Sequence, residues 1–155
     1  RVFFERNKSL YSAHSRTEQE LPFILGDFSF IGFADRIDFS SKGIIIVDYK
    51  TGKSPISVQY RNWQLGYYAL AARRFGVVHK VILDLLRQDK PIVLTFDDNG
   101  QAYTSSGALA FHIRDIEREF IEEARKIIEA KIKGFAPCSI EKNCEFCNTF
   151  VYRQY

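Results

Sequence analysis

Between residues 21 and 50 the apolar positions fall into short runs separated by turn residues, the signature of strands. Residues 21–25 meet Gly26-Asp27, a two-residue hairpin turn in which glycine is free to take positive φ. Residues 28–39 continue as a long β-rich run. Residues 40–43 form a second turn, and residues 44–50 continue with four consecutive β-branched side chains, Ile44 to Val47. Such a run predicts a strand buried on both faces, central in its sheet. Residues 51–55 break the pattern. Residues 58–75 then read as a helix, with Trp63, Tyr67, Leu70 and Arg74 on one stripe. Residues 77–86 and 91–96 are further strands, and Asp98-Asn99-Gly100 is a turn directly after them. A long helix is expected over residues 106–133, where Ile113, Ile116, Phe120, Ala124, Ile127 and Ile128 recur at helical spacing. Gly134 and Pro137 end it. Hairpin strands, helix, strands and helix in that order predict a layered α/β domain.

The turns also set a register. With residues 40–43 as the loop, paired positions sum to 83, and Asp35 falls opposite Asp48. Directly opposed side chains have Cβ atoms about 4.5–5.5 Å apart. Lys50, two positions beyond Asp48, leaves the same face. In the first hairpin paired positions sum to 53, so Glu20 faces Phe33, which shares a face with Asp35. Two acids, a third nearby and one lysine thus converge on one patch. Two carboxylates that close repel by about 3 kcal/mol at an effective dielectric of 20. A divalent cation removes the conflict, and hard oxygen ligands completed by water suit Mg²⁺. A metal with a lysine beside it can activate water and stabilise charge on a phosphate. The competing reading of the same residues is a lysine-bridged carboxylate pair kept as a salt-bridge network.

Composition narrows the field. The 155 residues are 46% hydrophobic and 26% charged, which excludes a disordered, collagen-like or coiled-coil chain. No apolar run approaches the roughly 18–20 residues of a membrane span. The chain contains no Met, so Arg1 is not an initiator, and either a removed leader or a longer polypeptide is expected. The charged first ten residues do not resemble a signal peptide, so an intracellular, cytoplasmic address is expected. The net charge is only +3, but residues 49–90 hold eight basic and two acidic side chains, which suits either a polyanion or a solvated surface. The three cysteines, Cys138, Cys144 and Cys147, cluster in the last 18 residues, a pattern closer to a metal site than to a disulfide framework.

Three segments carry a family resemblance. Gly32-Phe33-Ala34-Asp35-Arg36-Ile37-Asp38, then Val47-Asp48-Tyr49-Lys50-Thr51-Gly52-Lys53, then Gln64-Leu65-Gly66-Tyr67-Tyr68-Ala69-Leu70 resemble the RecB-like nucleases of the PD-(D/E)XK superfamily. These occur in helicase–nuclease machines of DNA end processing, and their relatives include CRISPR-adaptation-type exonucleases. The two aspartates stand thirteen positions apart and Tyr68 follows Gln64 by four, as in that pattern, while Glu20-Leu21-Pro22-Phe23 looks like its upstream acidic strand. The resemblance implies a restriction-endonuclease-like core, with a mixed central sheet flanked by helices. It also implies a metal-dependent deoxyribonuclease, an exonuclease of DNA repair or recombination, with DNA as partner and a helicase domain or subunit as a further one. Asp35, Asp48 and the Tyr49 carbonyl would hold Mg²⁺ or Mn²⁺. Lys50 would act on the attacking water and the developing charge, and Gln64 and Tyr68 would hold the lysine–water network or a phosphate.

The two ends depart from the pattern. The family usually carries an earlier helix with a metal-binding His, whereas His14 lies only six residues before Glu20 and reads as a loop residue. Cys144-Glu145-Phe146-Cys147 resembles part of a cysteine set that binds a [4Fe–4S] cluster in some members, but Arg153 stands about where a further cysteine is expected. Three thiolates, with Cys138, do not close a four-ligand cluster or Zn²⁺ site. A fourth ligand would have to come from outside residues 1–155. The expected organisation is a nuclease core over residues 1–137 and a cysteine-bearing tail over 138–155. Two other functions fit the same residues: a nuclease-fold module that binds DNA or a helicase partner without catalysis, and a small cysteine-tail metal module whose sheet acids are structural.

Overall fold

The structure, a computed structural model, describes residues 14–52 and 57–134. Strands β1 (Ser15–Glu20), β2 (Phe23–Leu25), β3 (Phe28–Phe30), β4 (Phe33–Ser40) and β5 (Gly43–Lys50) come first. Helix α1 (Val58–Ala72) is next, extended by a 3₁₀ turn at Arg73–Phe75. Then come β6 (Val78–Leu85), β7 (Ile92–Phe96), β8 (Gln101–Thr104), β9 (Leu109–His112) and helix α2 (Ile113–Lys133). Seven strands make one mixed sheet in the order β1-β4-β5-β6-β7-β8-β9, and β2 pairs with β3 separately. The α/β architecture read from the sequence is the one observed.

The first hairpin keeps one register along its whole length. Leu25 pairs with Phe28 and Ser15 with Asp38, and between those ladders Leu21 and Gly32 exchange main-chain hydrogen bonds of 2.8 and 3.3 Å. Gly26 has φ 56° and Asp27 has no positive φ, the II′ arrangement that matches the twist of the strands. The second turn is tighter than the four-residue loop expected from sequence. Ser40 pairs with Gly43, which leaves Ser41-Lys42 as the loop without altering the register. The Ser40 hydroxyl closes it by donating to the Gly43 carbonyl at 2.6 Å.

Strand β5 lies between antiparallel β4 and parallel β6, and its middle residues Ile46 and Val47 are fully buried. A parallel neighbour requires a crossover, and α1 supplies it. The helix begins at Ser57, whose hydroxyl accepts from the Tyr60 amide at 3.2 Å and so satisfies one of the unpaired first-turn donors. Its buried side holds Leu65, Tyr68, Ala69 and Ala72. The stripe of Trp63, Tyr67, Leu70 and Arg74 runs along the edge of that buried side. Leu70 is buried, but Trp63 and Tyr67 are half-buried and Arg74 is exposed, reaching the Pro22 carbonyl at 3.2 Å.

The helix expected over residues 106–133 begins later, at Ile113. Gly107, with φ 82°, turns the chain so that Leu109–His112 pairs with β8, a strand the hydrophobic pattern does not separate from the helix. In α2, Ile113 and Ile116 are buried, whereas Ile127 and Ile128 are exposed. The chain divides into two compact units, Arg1–Ile121 and Glu122–Tyr155, the boundary falling within this helix. Within the second unit Lys126 and Lys133 pair with Glu123 and Glu129 one turn earlier. Among the described residues no helix is long and apolar enough to cross a membrane.

Gly66 sets how closely the helices approach. A Cβ there would lie 2.6 Å from Ile116 Cγ2 and 3.2 Å from Ile116 Cβ, and Ile116 is itself buried. Alanine is favoured over glycine inside a helix by about 1 kcal/mol, but overpacking against a branched buried side chain costs about 1–3 kcal/mol. Gly66→Ala should therefore lower stability by up to about 2 kcal/mol, a fall of up to several degrees in the thermal midpoint. Adding Ile116→Ala should cost less than the two changes summed. A midpoint equal to or above wild type would contradict the close packing.

Candidate active site

Asp48 is the centre of the site. It stands near the end of β5, only 4% exposed, although it carries a carboxylate. Among the described residues two side chains reach it. The Tyr68 hydroxyl donates to Oδ1 at 2.5 Å, and Lys50 Nζ lies 2.7 Å from Oδ2. Strand periodicity puts Lys50 beside Asp48, and the crossover helix brings Tyr68 down onto them. Among the described residues no well-directed hydrogen bond is made to Oδ2, so the contact with Lys50 is one of charge.

Asp35 is reached differently from the sequence expectation. The β4–β5 ladder runs from Ser40↔Gly43 to Arg36↔Val47 and stops one step short of an Asp35↔Asp48 pair. Asp35 is exposed, and its Oδ2 accepts the Tyr49 amide at 2.6 Å, a side chain taking the place of a ladder bond. The strands therefore part where the two acids stand, which leaves room between them. Strand alternation in the β4–β5 register carries Asp35 to the same face as Asp48, and its negative charge also acts on the Tyr68 phenol that binds Asp48.

Burial pushes the Tyr68 phenol well above its ordinary value, and the hydrogen bond and negative charge of Asp48 push it further. The Gln64 side chain, one turn earlier, is within hydrogen-bonding reach of the phenol and opposes the rise. Gln64 Oε1 is nevertheless buried with no hydrogen-bond partner among the described residues. Tyr68 is thus held as a neutral donor, fixing the orientation of a carboxylate that would otherwise be free to rotate.

Glu20 pairs with Phe33 at the register expected, and its side chain is exposed at the edge of the patch. The same register places Glu18, between the pairs Thr17↔Arg36 and Gln19↔Ala34, across from Asp35. Glu18 has φ 48°, a value uncommon for a residue with a side chain, and it stands beside the candidate site. Sequence reasoning missed it, although extending the pairing sum two residues past Glu20 would have found it. His14 occupies a turn just ahead of β1, as a loop residue.

Alternation divides the Asp35-Arg36-Ile37-Asp38 segment between the two faces of the sheet. On the opposite face Arg36, fully buried, contacts Asp38 at 3.1 Å and donates to the Tyr49 hydroxyl at 2.6 Å, while Ser15 donates to Asp38 at 2.6 Å. Arg36 and Asp38 are thus the structural half of the segment.

Comparison with protein families agrees with this geometry. Residues 2–150 match the family described as the PD-(D/E)XK nuclease superfamily. The chain belongs to this superfamily. No curated protein matches it significantly.

PD-(D/E)XK nucleases typically use Mg²⁺ or Mn²⁺, and the donor set here suits such an ion. Two carboxylates and the Tyr49 carbonyl are hard oxygen donors at the point where the strands part, and Asp48 Oδ2 has no directed donor among the described residues. Among the described residues no three His, Cys, Asp or Glu side chains gather into a cage. A site with one or two carboxylates, completed by water and phosphate oxygens, is how Mg²⁺ is commonly bound. Cys138, Cys144 and Cys147, and the region ahead of His14 that bears on an upstream helix, lie outside the described residues.

The raised Tyr68 pKa predicts a sign for alkaline stability. The folded state keeps its proton where the unfolded chain, with an ordinary value of 10.0, has lost it. The stabilisation is complete below pH 10 and lost as pH rises from there through the higher folded value. Denaturant titrations should show stability falling above about pH 10, and Tyr68→Phe should flatten that fall. An identical alkaline slope in wild type and variant would count against a buried, carboxylate-bound phenol.

Proposed function

We propose that the chain is a RecB-like, divalent-metal-dependent deoxyribonuclease that hydrolyses phosphodiester bonds as an exonuclease at DNA ends, in repair or recombination. The observation that carries this reading is the contact set on Asp48, with Lys50 at 2.7 Å and Tyr68 at 2.5 Å, in a chain of the PD-(D/E)XK superfamily. The RecB-like assignment rests on the resemblance of the three segments ending in Gln64 to Leu70, and so does a helicase domain or subunit as partner. The basic balance of residues 49–90 suits a polyanionic substrate.

In this proposal Asp35, Asp48 and the Tyr49 carbonyl hold the cation. A bound Mg²⁺ or Mn²⁺ supplies Lewis acidity toward water and phosphate. Lys50 keeps a positive charge beside the reacting phosphate, where negative charge accumulates during in-line displacement. Asp48 fixes the lysine, and Tyr68 fixes Asp48. Gln64, one turn before Tyr68, would hold the lysine–water network or a substrate phosphate. Each group is held by a neighbour before substrate arrives, so little reorganisation accompanies the reaction.

End-labelled single- and double-stranded DNA should be cut by the wild type with Mg²⁺ or Mn²⁺, and linear DNA should be cut in preference to circular. Lys50→Ala should lower kcat by about 10²–10³-fold while DNA affinity changes little, because the lysine acts on charge that appears in the transition state. Asp48→Asn should abolish cutting. A Lys50→Ala enzyme cutting within about threefold of wild type would contradict the role of the lysine. A wild type that binds DNA but cuts none of these substrates with either ion would make the chain a binding module.

A further inference from the structure

Next to Asp48, and sharing a wall with it, lies an aromatic pocket of about 270 Å³. Tyr68 is the shared wall, since its ring lines the pocket and its hydroxyl binds Asp48. The floor is a rigid ring cluster. Trp63 and Tyr67 pack on Phe120 with centroids 4.7 and 5.6 Å away, and Tyr67 meets Phe23 edge-on at 5.1 Å. Trp63 is further fixed through its indole N–H, which donates to Glu119. Gly32 admits this arrangement, since a Cβ there would lie 2.5 Å from Tyr67 Cε1. The rim, by contrast, is apolar and open, with Phe33 62% and Tyr60 61% exposed.

We propose that this pocket takes an unpaired nucleobase of the strand being cut, and that it gives the enzyme its preference for single strands or frayed ends. The proposal rests on the nuclease reading above. Three features select a base as the occupant. The volume sits just below the roughly 300–1,000 Å³ of drug-sized sites, which suits one flat ring system rather than a helix face. The walls are π-faces, on which any base stacks regardless of sequence. Two polar atoms of the wall residues, Gln64 Oε1 and the Tyr67 hydroxyl, are buried with no hydrogen-bond partner among the described residues, and the polar edge of a base would supply them. Because Tyr68 spans both sites, a base held here puts its own sugar–phosphate chain beside Asp48 and Lys50. A base stacked and paired inside a duplex cannot enter.

Trp63 is the sole tryptophan of the chain, so its fluorescence reports on the pocket directly. Binding is measured in EDTA at fixed salt, without cleavage, using a single-stranded oligonucleotide, its abasic counterpart with the same phosphates, and a blunt duplex. The single strand should quench Trp63 saturably, and the abasic strand and duplex should not. Tyr60→Ala, an exposed rim change that leaves the ring cluster in place, should weaken the single strand by roughly 5- to 100-fold. It should leave the affinity for the abasic strand, and the salt dependence set by phosphate contacts, unchanged. Tyr60→Phe should restore binding. If the abasic strand binds and quenches as well as the normal one, or Tyr60→Ala weakens both equally, the pocket does not take bases. That result leaves the nuclease reading intact as long as metal-dependent cutting persists. A wild type that neither binds nor cuts DNA would overturn both.

Discussion

Everything in the site depends on burying one charge. Asp48 lies at the end of a strand covered on both faces, and an isolated carboxylate there would carry a desolvation penalty of several kcal/mol. The fold answers with one cation and one neutral donor, Lys50 from the same strand face and Tyr68 from the crossover helix. Neither answer is complete. Lys50 is itself about one-third exposed at 31%, and among the described residues Oδ2 has no directed donor. With Asp35 nearby as a second carboxylate, the patch carries more negative than positive charge. An arrangement selected for stability alone would have replaced one acid, since well-packed apolar residues are often no less stabilising than a buried ion pair.

The same strands hold charge on their other face, and the two faces solve different problems. Arg36, Asp38, Ser15 and the Tyr49 hydroxyl bind one another behind the sheet. This network ties β1, β4 and β5 together just where the β4–β5 ladder ends. Tyr49 connects the two sides, its hydroxyl held by Arg36 and its amide by Asp35. The parting of the strands that makes room for both acids is therefore braced from behind.

Much of this was legible in the sequence because turn residues set registers. Gly26-Asp27 and the Ser40–Gly43 turn fix the pairing sums, and strand periodicity then places Glu20, Phe33, Asp48 and Lys50 without further information. The end of the ladder before Asp35 was not legible, because there a side chain captures an amide that backbone pairing would have used. The late start of α2 escaped for another reason. Leu109–His112 is too short for period-two alternation to outweigh the helical pattern beside it, and only the positive φ of Gly107 gives the turn away. Periodicity puts Trp63 and Tyr67 on one stripe of the helix, but that they are half-buried and line an open pocket is set by tertiary packing.

The position of α1 about its own axis decides whether Tyr68 meets Asp48 at all. At 3.6 residues per turn, Gln64 and Tyr68 lie on nearly one line, while Gly66 lies about 200° away on the opposite side. Gly66 is where Ile116 of α2 presses, and Tyr68 is where the sheet presses, so the helix is clamped between two layers. Its third aspect, carrying Trp63 and Tyr67, is held by Phe120 and Phe23. A slip by one residue would swing each of these by about 100°, putting Tyr67 over the carboxylate and bringing a larger side chain against Ile116. The clash at the glycine position thus opposes the register error that would disassemble the site, and a residue that touches neither acid helps determine the geometry of both.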